Sequence, residues 1–187
     1  MLFEERTAPA GFVYEPELLR RDEERALLDV FSELRFDEIQ MHGVVAKRTA
    51  RHFGLDYDYA RREAVAEAEP IPDWLEPVRA KAAGVAGLDR EQLAEALVQR
   101  YPEGAQIGWH RDAPMFGTVV GISLLSPARM RFRRGSPGNW ETYELTLDPR
   151  SAYVLAGDAR TKWQHHVPPT KSERYSITFR TLRRRRK

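Results

Sequence analysis

His110 and Asp112 stand two residues apart in the stretch Trp109-His110-Arg111-Asp112. In extended backbone that spacing turns both side chains to one side of the strand. A neutral imidazole and a carboxylate there are two of the three ligands of a facial triad. That donor set suits non-heme Fe(II) and leaves one face of the octahedron open. The third ligand has to come from elsewhere in the chain, and Trp163-Gln164-His165-His166-Val167 offers two candidates. Adjacent strand residues face opposite ways, so only one of His165 and His166 can ligate. A lone His-x-Asp arises often by chance, and the remaining elements have to corroborate it.

A second constellation lies in Arg174-Tyr175-Ser176-Ile177-Thr178-Phe179-Arg180. As a strand it puts Arg174, Ser176, Thr178 and Arg180 on one face and Tyr175, Ile177 and Phe179 on the other. Burying two guanidiniums beside a metal is expensive unless anions meet them. A dicarboxylate would satisfy both, because guanidinium and carboxylate pair through two parallel hydrogen bonds. The plainer alternative is an edge strand with both arginines in water.

The elements that must position these residues are legible in outline. Leu27, Val30, Phe31 and Leu34 recur at helical spacing after Asp22, a candidate N-cap followed by Glu23 and Glu24. A strand is expected over Met41 to Val45. Beyond it, Lys47, Arg48 and Arg51 precede Phe53, Tyr57 and Tyr59, which reads either as a hairpin with a buried aromatic face or as a base-stacking segment. Pro70-Ile71-Pro72 breaks the chain. Asp73 with Glu76 resembles a capping box for a second helix through Trp74, Leu75, Val78 and Ala82, ended by Gly84 and Gly87. A further helical turn over Asp89 to Ala94 leads into a strand over Leu97 to Tyr101. From there the pattern changes to short alternating strands separated by turns, such as Gly135-Ser136-Pro137-Gly138-Asn139. Helices first and short strands after suggest a helix-supported double-sheet roll, whose distant strand ends meet at one mouth.

Composition narrows the chemistry. Zero cysteines exclude disulfides and thiolate metal sites, so a metal would be held by His, Asp or Glu. The 187 residues, 42% hydrophobic and 31% charged, fit one ordinary globular domain. No apolar run approaches a membrane span and the first residues lack a signal-peptide pattern, so a cytoplasmic monomer is expected. The net charge of +2 less the five charges of the tail Arg183–Lys187 leaves −3 on the body. The body is therefore not a uniformly basic one of the kind that coats nucleic acid, and the tail reads as a solvated charge run.

Together these elements resemble the AlkB family of Fe(II)- and 2-oxoglutarate-dependent dioxygenases. The likeness covers most of the chain and is strongest from Leu97 to Arg180, through Arg100-Tyr101, His110-Arg111-Asp112, Trp163-Gln164-His165 and the closing Arg174–Arg180 signature. It implies an α+β fold: a double-stranded β-helix (jelly roll) core over about 96–182, N-terminal supporting helices, a lid-type segment over about 36–65, and the basic tail at 183–187. His110, Asp112 and His165 would ligate iron. Arg180 would hold the 2-oxoglutarate carboxylate near the metal, and Arg174 with Tyr101 the distal one. Gln99 and Ser176 fall where the family commonly carries asparagines that touch the cosubstrate, and both can still hydrogen-bond. Arg51, Phe53, Tyr57 and Tyr59 fall in the segment that covers a flipped or single-stranded nucleotide.

The activity so implied uses Fe(II), 2-oxoglutarate and O2 to dealkylate N-alkylated bases of DNA or RNA, releasing formaldehyde, succinate and carbon dioxide. Family members that repair DNA often carry a second acid two positions after the motif's aspartate. Pro114 stands there in this chain, after Ala113. That departure keeps the alternative open, the same chemistry on a protein or small molecule.

Overall fold

The computed structural model describes residues 7–41, 43–54, 56–58, 63–65 and 69–183. In chain order the elements are β1 (Phe12–Glu15), α1 (Arg21–Glu33), β2 (Asp37–Met41), β3 (Val44–Phe53), β4 (Asp56–Asp58), β5 (Glu63–Val65), α2 (Glu76–Ala86), β6 (Leu93–Tyr101) and β7 (Ile107–His110). The second half supplies β8 (Phe116–Leu124), β9 (Ala128–Ser136), β10 (Asn139–Leu147), β11 (Ala152–Leu155), α3 (Gly157–Thr161), β12 (Gln164–Val167) and β13 (Arg174–Leu182). A seven-stranded major sheet has the order β1-β11-β8-β13-β6-β3-β2, a four-stranded minor sheet the order β10-β9-β12-β7, and β4 pairs with β5 alone. All pairings are antiparallel. This is the jelly roll expected from the sequence.

Period-two alternation divides the apolar residues between two layers. Val120, Ile122 and Leu124 of β8, with Ile177 and Phe179 of β13, turn to the face covered by the helices. There they meet Leu27 and Phe31 of α1, Leu75, and Val78 and Ala82 of α2. The other layer lies between the sheets, where Val119 packs with Met130, Phe132, Leu147, Leu155 and Trp163. Each large side chain buried in this way contributes about 1.5–3 kcal/mol. The interior face of the major sheet is left to polar residues over part of its area, and the site lies there.

Several local expectations shift. α1 begins at Arg21, and its first turn is closed by the Glu23 carboxylate accepting the Arg20 backbone N–H at 2.8 Å, so Asp22 is not the cap. The expected strand over Met41 to Val45 is split between two, Met41 closing β2 and Val44 and Val45 opening β3, with Gly43 between them at a left-handed φ of 78°. Gly84 lies inside α2, and Gly87, with φ 64°, ends it. The helical turn expected over Asp89 to Ala94 is a short 3-10 turn over Arg90–Gln92, and β6 starts at Leu93. The first half of the lid-type segment is built into the major sheet, where β3 pairs with β6. Among the described residues no helix is long and apolar enough to cross a membrane.

Candidate active site

β7 and β12 pair with His110 directly opposite His165, which brings the two rings to 4.1 Å between centroids on the inner face of the minor sheet. Asp112 follows β7, and the Nε2 of His165 lies 3.6 Å from its Oδ2. One donor atom from each of the three residues falls within 4.8 Å of the others. His166 points outward instead, stacking on Trp109 at 5.0 Å with its Nδ1 2.7 Å from the Ile107 carbonyl. Strand parity thus separates the two histidines as the sequence required.

The donors are prepared for a metal. Nδ1 of His110 is 2.8 Å from the Gly108 carbonyl oxygen. Donation to that carbonyl leaves the Nε2 lone pair for coordination. Burial pushes the His165 imidazole down to about 3, helped by the neighbouring His110, and burial lowers His110 as well. Both rings are therefore neutral near pH 7, as ligation requires. Burial alone would raise the Asp112 carboxyl, but the Arg180 guanidinium, with His165 and His110, holds it well below the usual carboxylate range. Oδ2 of Asp112 is buried and has no hydrogen-bond partner among the described residues. An ionised oxygen buried in this way is costly unless a cation meets it. Two imidazoles and a carboxylate fit Fe(II), and the bare Oδ2 is what such a site leaves for it.

The turn that carries Asp112 is clamped from α3. Arg160 is 6% exposed and donates to the carbonyls of Ala113, Phe116 and Gly117 at 2.7–2.9 Å. Arg111 Nη1 donates to the Thr161 carbonyl at 3.0 Å, tying the motif's middle residue to the end of the same helix.

Across the cavity, β13 and β6 supply the second half of the site. Their register sets Arg174 opposite Tyr101, Ser176 opposite Gln99 and Arg180 opposite Glu95. All but Glu95 line one cavity with the triad. Arg174 is 2% exposed, its guanidinium lies 4.7 Å from the Tyr101 ring centroid, and its Nη2 donates to Ser123 Oγ at 3.1 Å. Its Nε is buried without a partner, and no carboxylate pairs with it among the described residues. Arg180 differs. Its Nε and Nη2 hold Oδ1 of Asp112 at 3.1 and 3.0 Å, while Nη1 reaches both oxygens of the fully buried Glu95 at 3.0 and 2.8 Å. A buried guanidinium that meets no carboxylate among the described residues at one end and a metal triad at the other fit 2-oxoglutarate, a dicarboxylate whose keto acid end would lie toward the triad.

Two expected substrate residues are placed elsewhere. Phe53 is 3% exposed and packs edge-on against Trp74 in the helix-covered core, so it cannot stack on a substrate. Arg51 shares that face of β3, bound to Glu69 at 2.7 Å and Asp37 at 3.5 Å, which neutralise it. Tyr59 lies outside the described residues, as does the side chain of Tyr57. The inner face of β3 instead carries Arg48, which donates to Gln99 at 3.2 Å, and His52, whose Nδ1 is 3.4 Å from Glu95.

His52, Glu95, Tyr153 and Arg160 do not stand out in the sequence, while Arg48, which the sequence places in the possible base-stacking segment, binds Gln99 at the cavity instead. A signal existed for Glu95: the offset that pairs Tyr101 with Arg174 pairs residue 95 with Arg180. Tyr153 reaches the cavity because its ring lies across Gly121 of β8, its register partner, where a Cβ would collide with the ring.

The chain belongs to the 2OG-Fe(II) oxygenase superfamily, whose family profile matches residues 25–181. Within that superfamily the similarities are to AlkB homologues. The chain is 27% identical over 177 residues to the "Alkylated DNA repair protein ALKBH8 homolog" of Arabidopsis thaliana, covering 74% of this chain and 50% of that protein. It is 43% identical over 61 residues to "Alpha-ketoglutarate-dependent dioxygenase alkB homolog 7, mitochondrial" of Bos taurus, covering 31% of this chain and 27% of that one. The chain thus spans half or less of the length of these curated relatives. The solved structure of OsALKBH1 superposes with a TM-score of 0.73 at 17% identity, over 94% of this chain and 98% of that one. A prolyl-4-hydroxylase of Pseudomonas putida superposes with 0.58 at 18% identity, over 93% of each chain. Both structures share the fold. The chain thus joins a 2OG-Fe(II) oxygenase profile to a His110-Asp112-His165 triad that fits Fe(II).

Proposed function

We propose that the protein oxidatively dealkylates N-alkylated nucleobases in DNA or RNA. His110, Asp112 and His165 hold the iron, Arg174 with Tyr101 binds the distal carboxylate of 2-oxoglutarate, and Arg180, Gln99 and Ser176 line its path to the metal. Bound Fe(II) and 2-oxoglutarate would serve to activate O2, one oxygen atom leaving in succinate as CO2 is lost and the other hydroxylating the N-alkyl carbon, after which formaldehyde leaves and the amine is restored. The residues of the chain do the rest: they fix ligand geometry, neutralise carboxylates and enclose the reacting carbon. The observation that carries the chemistry is the acid-free Arg174, buried in the cavity that the triad lines. The nucleic-acid substrate is supported by the likeness to the Arabidopsis alkylated DNA repair protein homolog. A base in duplex would have to be flipped out of the stack to enter.

The second reading keeps the chemistry but gives it a protein or small-molecule substrate. It is favoured by Pro114 in place of a second acid and by the withdrawal of Arg51 and Phe53 from the substrate side. The test supplies the full chain with Fe(II), 2-oxoglutarate and methylated single-stranded DNA, duplex DNA or RNA, and measures formaldehyde and succinate. Formaldehyde from one of the three, lost in His110→Ala, is expected. Succinate without formaldehyde on all three substrates transfers the activity to the second reading.

A further inference from the structure

We propose that Glu95 is a positioning residue for the metal centre. Its carboxylate holds the Nη1 corner of the Arg180 guanidinium, so that the opposite Nε–Nη2 edge holds Oδ1 of Asp112 and leaves Oδ2 turned to the metal. The proposal rests on the reading of His110, Asp112 and His165 as the ligands.

The geometry is a straight chain of charges across three elements. Glu95 sits on β6 opposite Arg180 on β13, and both its oxygens lie within 3.0 Å of Nη1. Nε and Nη2 of the same guanidinium meet Oδ1 of Asp112 at 3.1 and 3.0 Å. Oδ2 faces His165, 3.6 Å from its Nε2. A guanidinium is a rigid plane, so holding Nη1 in place constrains the direction in which the Nε–Nη2 edge donates. A ligating carboxylate whose second oxygen is held keeps its orientation before the metal arrives, and outer partners of this kind tune affinity strongly.

Burial argues for a purpose. Glu95 is 0% exposed, on a strand face whose next inward residue is Leu97, lining the cavity. An apolar side chain at position 95 would avoid the desolvation cost that a buried carboxylate carries. What it could not do is orient Arg180. The proposal also divides the labour of the two arginines. Arg180 is engaged by two acids and serves the metal ligand, while Arg174, with none among the described residues, serves the cosubstrate. Metal affinity should then follow residue 95, and 2-oxoglutarate affinity residue 174.

The test needs no turnover. Apo protein is titrated with Co(II), followed by calorimetry and by the visible d–d bands, and 2-oxoglutarate is then added to the Co(II)-loaded form. Glu95→Gln keeps the shape but sets an amide against the Arg180 donors. It should weaken Co(II) binding by about 10-fold or more, with altered d–d bands, and change 2-oxoglutarate binding much less. Glu95→Asp, which keeps the charge at shorter reach, should fall between Glu95→Gln and the unmodified chain. Co(II) affinity and bands equal to the unmodified chain, with only the unfolding temperature lowered, would show a mere counter-charge and overturn the proposal. If Glu95→Gln does not fold, Glu95→Asp decides alone, an unchanged Co(II) affinity again overturning it. Undiminished Co(II) binding in His110→Ala would instead sink the metal-site reading, and this proposal with it.

Discussion

Arg174 and Arg180 occupy the same face of the same strand, both almost fully buried, yet their surroundings are opposite. Arg180 lies between two carboxylates, one from β6 and one from the turn after β7. Arg174 has a hydroxyl and an aromatic ring for company and no acid among the described residues. A buried guanidinium that is already paired is part of the frame, because its charge is compensated in the folded chain itself. One without an acid awaits an anion from outside. The difference is created by the partners facing the strand, and nothing in the β13 sequence distinguishes the two ends.

The largest effect expected from this contrast is on stability. Arg180→Ala strands Glu95 and Asp112 as buried carboxylates and should cost about 3–5 kcal/mol in urea denaturation. A loss below about 1 kcal/mol would mean that the acids relax and that the pairing has little weight. Next comes Arg174→Met, which removes an uncompensated charge while roughly filling its volume. Its unfolding temperature should hold or rise, while the KM for 2-oxoglutarate increases about 10- to 100-fold, the value of one charged hydrogen-bond pair. An unchanged KM would erase the contrast.

The smallest effect concerns pH. The Asp112 carboxyl is held below its ordinary value of 3.8 by Arg180, against the pull of burial. A carboxyl depressed on folding contributes its full stability above that ordinary value and loses it as the pH falls toward the depressed one. Replacing Arg180 with Gln lets burial raise the carboxyl, so the acid midpoint of Co(II) loading should move to higher pH. The midpoint in Arg174→Met should stay in place. Equal midpoints in the two variants would show that Asp112 does not depend on Arg180.

Local pattern made much of this molecule readable. Alternation along Arg174–Phe179 separates the cavity residues from those that meet α1 and α2, and the same rule separates His165 from His166. What escaped was parity relative to a partner not yet known. The aromatics and bases near position 51 could be read as a substrate segment because only the sheet decides that Arg51 and Phe53 face the helices while Arg48 and His52 face inward. A strand that starts at Leu97 leaves out Glu95, the inward position just before it. Arg160 carries no signal at all in one dimension. Its role is to collect three carbonyls from a turn more than forty residues earlier in the chain.

The Tyr153 ring occupies the space that a side chain at position 121 would fill. Its phenol forms part of the cavity wall facing the strand of the two arginines. The first methyl added at 121 would collide with that ring and push it from its place against the sheet. One wall of this chamber is thus seated by an atom the chain leaves out, with glycine as the spacer beneath the phenol.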